Sequence, residues 1–435
     1  MQNKSNRRDF LRKTVATSAG MIIIPTIIPA SALGKNGFVA PSNRHVMGFI
    51  GVGSQGSYNM KNFLKIPEVQ VVAVCDVDKT NRDKAMNIVN EKQKNKDCRE
   101  YLDFREFLAK EKIDGVGIAL PDHWHGIIYS AVANAGLDAY AEKPLCRTID
   151  DGIEIVKAVE KNNIVWQTGS MQRSSNEFFR AVQLVRNGVI GDVKYVEVGL
   201  PTGGQEKPAP ALADIPEGLD WDFWLGPAPK VPFRGVYHWN WRWIMDYSGG
   251  QLTDWAGHHI DIALWGTDLE HTGPVEIEGK ADYPRKGIYN TPSEYDFMCT
   301  FANGLKMRVA NSRKIKTGGG ATFIGSEGWI NVDRGRLIAS DEKLLSAEIP
   351  ESGYKPYLSK NHYQNYIDCT KTREKTIVPA NTGLRAISVA LLGEIAMLTE
   401  RKIQWDPEKM EILNDEHAAR LLKRPYRQPW KIEQV

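Results

Sequence analysis

The sequence predicts an α/β protein in two halves: a parallel-sheet, dinucleotide-binding N-terminal domain, then an α/β domain built on a large, mostly antiparallel open sheet. Three observations carry this. Short apolar runs alternate with helical stretches over the first 165 residues, the pattern of a parallel sheet covered on both faces. The first such run closes on Gly51-Val52-Gly53-Ser54-Gln55-Gly56. After Val165 the texture changes to strand-like stretches with few helices between them.

Taken in order, His45–Ile50 is a buried strand and Ser57–Ile66 has helical spacing. Val69–Val74 is a second strand ending at Asp76, and a charged helix covers roughly 79–94. Another helix occupies 103–110, and Gly115–Leu120 is a strand. A helix spans His125–Ala135, followed by the strand Asp138–Ala141 and Glu142-Lys143-Pro144. Thr148 caps a helix reaching about Asn162. In the second half, a helix near 175–187 precedes a strand, Val193–Gly199. A Pro-, Gly- and Trp-rich region fills about 200–250. Strands are expected near 275–282, 294–301, 305–312, 321–324 and 328–332, and helices at 360–371 and 382–399. These readings divide the chain into 1–32, a linker at 33–43, a first domain at 44–164, a second at 165–400 and a tail at 401–435.

The chain has 435 residues, which suggests two or three domains at roughly 100–200 residues each. With 42% hydrophobic and 25% charged residues it has a globular composition. Its net charge of +3 is concentrated at the N-terminus, where Lys4, Arg7, Arg8, Arg12 and Lys13 face only Asp9. The near-neutral remainder argues against a nucleic-acid partner. Arg7-Arg8, Phe10-Leu11 and Lys13 precede a short apolar run broken by Pro25, then Ala30-Ser31-Ala32. This is the pattern of a twin-arginine export signal and implies a periplasmic protein without a membrane span. The five cysteines are an odd number without CxxC spacing, so buried thiols are expected and not disulfides or a zinc site.

In the glycine loop, Gly51 permits a tight turn, Gly53 lets a pyrophosphate approach the backbone and Gly56 lets helix and strand pack closely. Ser54 and Gln55 lie in this loop, which leads into the first helix, whose N–H groups face the phosphates. Asp76, at the end of the second strand, suits ribose hydroxyls and favours NAD, while Lys79 nearby leaves NADP open. Lys143 stands at the carboxyl end of a parallel strand, the edge where such sheets bind ligands. Asp254 and His258 are four apart, so on a helix they share a face, and a carboxylate can orient an imidazole base. A capping Asp with a core His is the competing reading. His258, His259 and Asp261 also raise a metal, but adjacent histidines diverge on a helix and no metal site is expected. Seven tryptophans lie between 221 and 265, matching the apolar faces of sugar rings, with His238, Arg242 and Asp222 as polar partners. One or two are expected in the site and the rest in the core or a subunit interface.

The glycine loop, Asp76, Leu120-Pro121 with His125, Glu142-Lys143-Pro144 and Asp254 with His258 together resemble the Gfo/Idh/MocA oxidoreductases over roughly residues 45–400. The stretch around Tyr237, Trp241 and Arg242 resembles an exported bacterial branch. The resemblance implies a Rossmann domain, NAD held by Gly51 to Gly56, Asp76, Leu120, Pro121, His125, Glu142 and Lys143, and a homo-oligomer, dimer or tetramer. It implies Lys143, Asp254 and His258 as catalytic groups acting on a sugar or polyol hydroxyl. Gln172, Arg173, Tyr237, Trp241, Arg242 and His259 are the expected substrate contacts. Outside the cytoplasm no free nicotinamide pool exists, so a tightly bound, internally recycled cofactor is expected. A sugar oxidoreductase, a redox-neutral NAD-dependent glycosidase and a non-catalytic sugar-binding module remain the three readings.

Overall fold

The computed structural model describes residues 43–235 and 239–432; the segment read as an export signal, nearly all of the expected linker, and Tyr237 and His238 lie outside them. Residues from His45 onward form one compact unit. Six strands, β1 (His45–Ile50), β2 (Val69–Cys75), β3 (Arg99–Tyr101), β4 (Gly115–Ile118), β5 (Asp138–Ala141) and β6 (Trp166–Thr168), form a sheet in the order β3-β2-β1-β4-β5-β6. Every pairing in it is parallel. β4 and β5 are buried at every position, which is why they read as unbroken apolar runs. The strand order reverses between β1 and β4, so their carboxyl ends open a crevice at the switch point.

The second sheet has nine strands: β7 (Tyr195–Leu200), β8 (Glu276–Asp282), β9 (Glu294–Thr300), β10 (Lys306–Asn311), β11 (Gly320–Ile324), β12 (Trp329–Asp333), β13 (Arg336–Ala339), β14 (Ile403–Asp406) and β15 (Glu411–Leu413). Only β7 and β10 pair in parallel. Along β9 buried and half-buried residues alternate strictly, the signature of a sheet with one face on the core. Helix Ala380–Thr399 is long and apolar enough to cross a membrane, but it is a core helix. It packs on β8 and on helix Ile149–Lys161, thereby joining the two halves. A buried ion pair, Arg147 to Glu394 at 2.7 and 3.0 Å, ties the loop after Lys143 to this helix.

The sequence reading missed β3, β6, β13, β14 and β15, all of three or four residues and too short to show a period. It also began the first helix three residues late, because Ser54 and Gln55 belong to its first turn. The segment from 401 is not a tail: β14 pairs with β8, and β15 edges the sheet. Its last residues return to the first half, where Tyr426 donates to Asp151 at 2.6 Å. All five cysteines are buried free thiols.

Candidate active site

The glycine loop has the geometry that its spacing required. Gly51 has φ +77°, and a Cβ there would meet the Ala119 carbonyl oxygen at 2.1 Å. A Cβ on Gly56 would meet the Gly51 carbonyl oxygen at 1.9 Å, so helix and strand touch only because both lack one. A Cβ on Gly53 would meet nothing nearer than Asn81 Nδ2, at 3.8 Å. Gly53 also starts helix Ser54–Phe63 without a side-chain cap, so the first-turn N–H groups remain for an anion. The loop forms one end of a cavity of about 990 Å³. Asp76 lines the same end and accepts from the Val52 and Asp78 N–H groups, both at 2.9 Å. Lys79 is exposed and paired with Asp83 at 2.7 Å. A dinucleotide fits this cradle: an open glycine for the pyrophosphate, an uncapped helix start, and a carboxylate at the ribose position.

Residues from the second half close that end. Leu219 bridges to Asp78, Lys79 N–H donates to the Gly218 carbonyl at 2.9 Å, and Asp220 N–H donates to the Val77 carbonyl at 3.1 Å. Phe104, Trp124 and Phe223 form an aromatic wall there. Behind it, Trp430 stacks on Phe223 at 5.3 Å and meets Trp124 edge-on at 4.8 Å, with Arg105 over the Trp430 ring at 5.2 Å. Trp430→Ala removes contacts worth about 1–2 kcal/mol, so bound NAD should escape roughly tenfold faster. NAD content after gel filtration measures this; retention equal to the parent protein would show that the wall stands without its backing.

At the cavity's other end, Lys143 donates to the Asp254 carboxylate at 2.8 Å and to its backbone carbonyl at 3.1 Å. Arg242 reaches the same carboxylate oxygen at 3.2 Å. The Lys143 and Asp254 side chains are 12% and 13% exposed, so their attraction is only partly screened. Burial alone would raise the Asp254 carboxyl, but Lys143 and Arg242 outweigh it and hold it well below the usual carboxylate range. Helix Gly250–Trp255 carries Asp254 and passes directly into a π turn, Ala256–Ile260, which carries His258. Such turns recur at functional sites because they re-aim side chains. Gly257 lets the turn rest on the stem of Lys143, where a Cβ would lie 3.0 Å from the lysine Cβ. Burial, followed by the positive charges of Lys143 and Arg334, keeps the His258 imidazole well below its ordinary pKa. It is therefore neutral at pH 7 and able to accept a proton, and its Nδ1 is buried without a partner. The expected Asp254–imidazole pairing gives way to an Asp254–ammonium pairing, with the imidazole beside it.

Most residues singled out from sequence line this cavity: Gly51, Gly53, Ser54, Gln55, Gly56, Asp76, Leu120, Pro121, Glu142, Lys143, Gln172, Trp241, Arg242, Asp254 and His258. Glu142 is buried and accepts from Asn59 at 2.9 Å and Gln55 at 3.1 Å, which orients the first helix over the loop. Gln172, with its amide nitrogen toward the π turn, donates to the His258 carbonyl at 3.1 Å and accepts from Arg334 Nε at 3.0 Å.

Three expected contacts are corrected. The His125 ring lies between the carbonyls of Pro144 at 2.7 Å and Leu120 at 3.0 Å. It thus clamps the two strand ends from behind and does not line the cavity. Arg173 is buried in ion pairs with Asp261 at 2.7 Å and Glu270 at 2.6 Å, anchoring the helix that follows the π turn. His259 is buried between Trp255 and Phe178, with Asp333 at 3.4 Å. Tyr237 lies outside the described residues. Among the tryptophans, Trp224, Trp241, Trp243 and Trp255 line the cavity, more than the one or two expected. Asp222 instead faces outward, paired with Arg427 at 2.9 Å.

Sequence reasoning missed four charged cavity residues, Asp78, Asp122, Glu177 and Arg334. Arg334 sits on the β12–β13 turn, with its guanidinium 4.6 Å over the Trp255 ring. Asp122, directly after Pro121, is buried and accepts from the Ser248 hydroxyl at 2.7 Å. Burial pushes its carboxyl up to about 6, although the Ser248 bond and the Arg242 charge pull the other way. A kcat/KM profile should therefore carry an inflection near pH 6, and Asp122→Asn should remove it. An unchanged profile in that variant would separate Asp122 from the reacting end.

Comparison with known proteins agrees with this architecture. Residues 46–170 match the family model "Oxidoreductase family, NAD-binding Rossmann fold", and residues 183–432 match its "C-terminal alpha/beta domain". A glycosyl hydrolase family 109 protein of Shewanella putrefaciens is 29% identical over 206 residues, which is 44% of this chain and 45% of that protein. An α-N-acetylgalactosaminidase of Shewanella oneidensis is 28% identical over 207 residues, with the same shares covered. This chain thus spans about half the length of the curated relatives it matches. The aldose-aldose oxidoreductase of Caulobacter crescentus, solved with glycerol, shares the fold at a TM-score of 0.60 and 17% identity, over 83% of this chain and 99% of its own. The chain belongs to the Gfo/Idh/MocA oxidoreductase family, with its NAD-binding Rossmann fold and C-terminal α/β domain.

Proposed function

We propose that this protein oxidises a hydroxyl of a sugar, glycoside or polyol, using an NAD that stays bound and is recycled internally. One observation carries the reading: Lys143, Asp254 and His258 meet at the far end of the cavity that begins at the glycine loop. The chemistry that NAD supplies when bound is reversible hydride uptake from the carbon bearing that hydroxyl. The neutral His258 imidazole accepts the hydroxyl proton. The Lys143 ammonium, oriented by Asp254, steadies the charge that builds on the oxygen. Trp241, Trp243 and Trp255 offer apolar faces to the ring, and Arg242 shares with Lys143 one oxygen of the Asp254 carboxylate. Gln172 fixes the backbone of the π turn and so sets where the imidazole points.

Export by the twin-arginine route to the periplasm, proposed from Arg7-Arg8 and the residues after them, supports retention, since a lost cofactor would not be replaced there. Homo-oligomerisation through the open sheet is the matching proposal for assembly. A second reading, the redox-neutral glycosidase, is favoured by the names of the curated relatives. In that case the oxidation is transient and the glycosidic bond is lost by elimination, with Asp122 as the additional acid–base group.

The test uses protein as purified, with no added cofactor. Absorbance and mass of the supernatant after denaturation identify the nicotinamide. Incubation with aryl glycosides then separates the readings. A stable keto-sugar marks the oxidoreductase, and aglycone release without net reduction marks the glycosidase. Sugar binding by a protein carrying no nicotinamide would mark a non-catalytic module and overturn both.

A further inference from the structure

We propose that Arg334 is a carboxylate receptor, so that the sugar taken by this cavity is an acidic one, a uronic acid or its glycoside. This inference rests on the carbohydrate reading above and names the substrate class for the same site.

The argument begins with the charges at the reacting end. Three cations line it: Lys143, Arg242 and Arg334. The first two share one oxygen of Asp254, at 2.8 and 3.2 Å, so that carboxylate offsets one of their two charges. Arg334 has no such partner: among the described residues no carboxylate lies within ion-pair distance of it. Two acids touch the same turn without pairing with the guanidinium. Glu177, which also lines the cavity, accepts from the Gly335 N–H at 3.2 Å, and Asp333 accepts from the Arg334 backbone N–H at 2.7 Å and faces His259 at 3.4 Å and Arg336 at 3.9 Å.

The guanidinium is nevertheless held. Its Nε donates to Gln172, and its Cζ lies over the Trp255 ring, 4.6 Å from the centroid. That leaves two terminal nitrogens without an acceptor among the described residues, in the planar fork that binds a carboxylate through two parallel bonds. The Trp255 face gives a sugar ring an apolar surface beside the fork. Arg334 is also close enough to His258 to depress its imidazole, so both groups can serve one sugar ring. A neutral hydroxyl would satisfy one donor and leave the positive charge uncompensated.

Calorimetry on the NAD-loaded protein decides the matter. The probes are two matched pairs: methyl β-D-glucuronide with methyl β-D-glucoside, and methyl α-D-galacturonide with methyl α-D-galactoside. The acidic member of at least one pair should bind about tenfold or more tightly than its neutral partner, with an advantage that shrinks as salt rises. Arg334→Gln should abolish that advantage and Arg334→Lys should keep part of it, both variants retaining NAD as evidence of folding. Equal or tighter binding of the neutral sugar in both pairs, or a preference that survives Arg334→Gln, overturns the inference. If a neutral sugar binds and is oxidised while its acid is not, only this inference falls. If no sugar binds at all, the carbohydrate reading falls and takes this inference with it.

Discussion

Lys143→Met should lower turnover by about 10²–10⁴-fold while the protein keeps its NAD, because in the proposed reaction the ammonium acts on the reacting oxygen and not on the fold. Methionine preserves the stem that Gly257 packs against. What disappears is one charge, and two neighbours register the loss. Asp254 keeps only Arg242, so its carboxyl moves up toward the ordinary range. His258 loses one of the charges that depress it, so its imidazole also moves up. The acid limb of the pH–rate profile should therefore shift to higher pH in whatever activity survives, a change that a purely structural lysine would not cause. Lys143→Arg should not rescue, since a broad guanidinium does not fit where the lysine stem touches the π turn. Near-normal turnover of Lys143→Met, with NAD content unchanged, would remove the lysine from the chemistry.

The second large effect is expected at His258. Its replacement by Ala should cost about 10²–10⁴-fold in turnover, and added imidazole should restore part of it by occupying the vacated space. The pH dependence identifies the group. A base works when unprotonated, and the His258 pKa lies well below 6.5. Activity should thus persist as pH falls through the ordinary imidazole range, and the acid limb should appear only below it. Because Asp122 titrates at about 6, the measurement belongs in the Asp122→Asn background. An inflection at the ordinary imidazole value in that background would mean that His258 is not held as the structure holds it.

Much of this site was legible because its parts are local. The glycine loop, Asp76 and Lys143 each follow a strand end, and strand ends are what apolar runs mark best. Asp254 and His258 were legible as a pair, but their partners were not. That Asp254 turns to Lys143 depends on a contact 111 residues apart, which no local spacing encodes. Arg173 and His259 were expected as substrate contacts from the family resemblance, and nothing local in the sequence separates a polar contact from a polar anchor. The structure buries both in ion-pair and aromatic contacts that position the π turn. Arg334 gave no signal at all: it sits in a hairpin turn, Asp333 to Arg336, of ordinary composition. Only the folding of the nine-stranded sheet brings that turn over Trp255. Strands β13 to β15 escaped for a related reason, since three or four residues at a sheet edge are specified by their neighbours and not by their own periodicity.

The π turn makes the active site a matter of counting. A π turn closes on one residue more than an α turn, so it takes up a surplus residue without turning the helix beyond it. Removing one residue between Asp254 and His258 would let the segment return to the ordinary pitch, with helix Asp261–Thr267 and its Arg173 anchor left in place. What would change is the aim of the side chains inside the turn, His258 among them. Insertions and deletions confined to this turn should therefore alter the chemistry before they alter the fold.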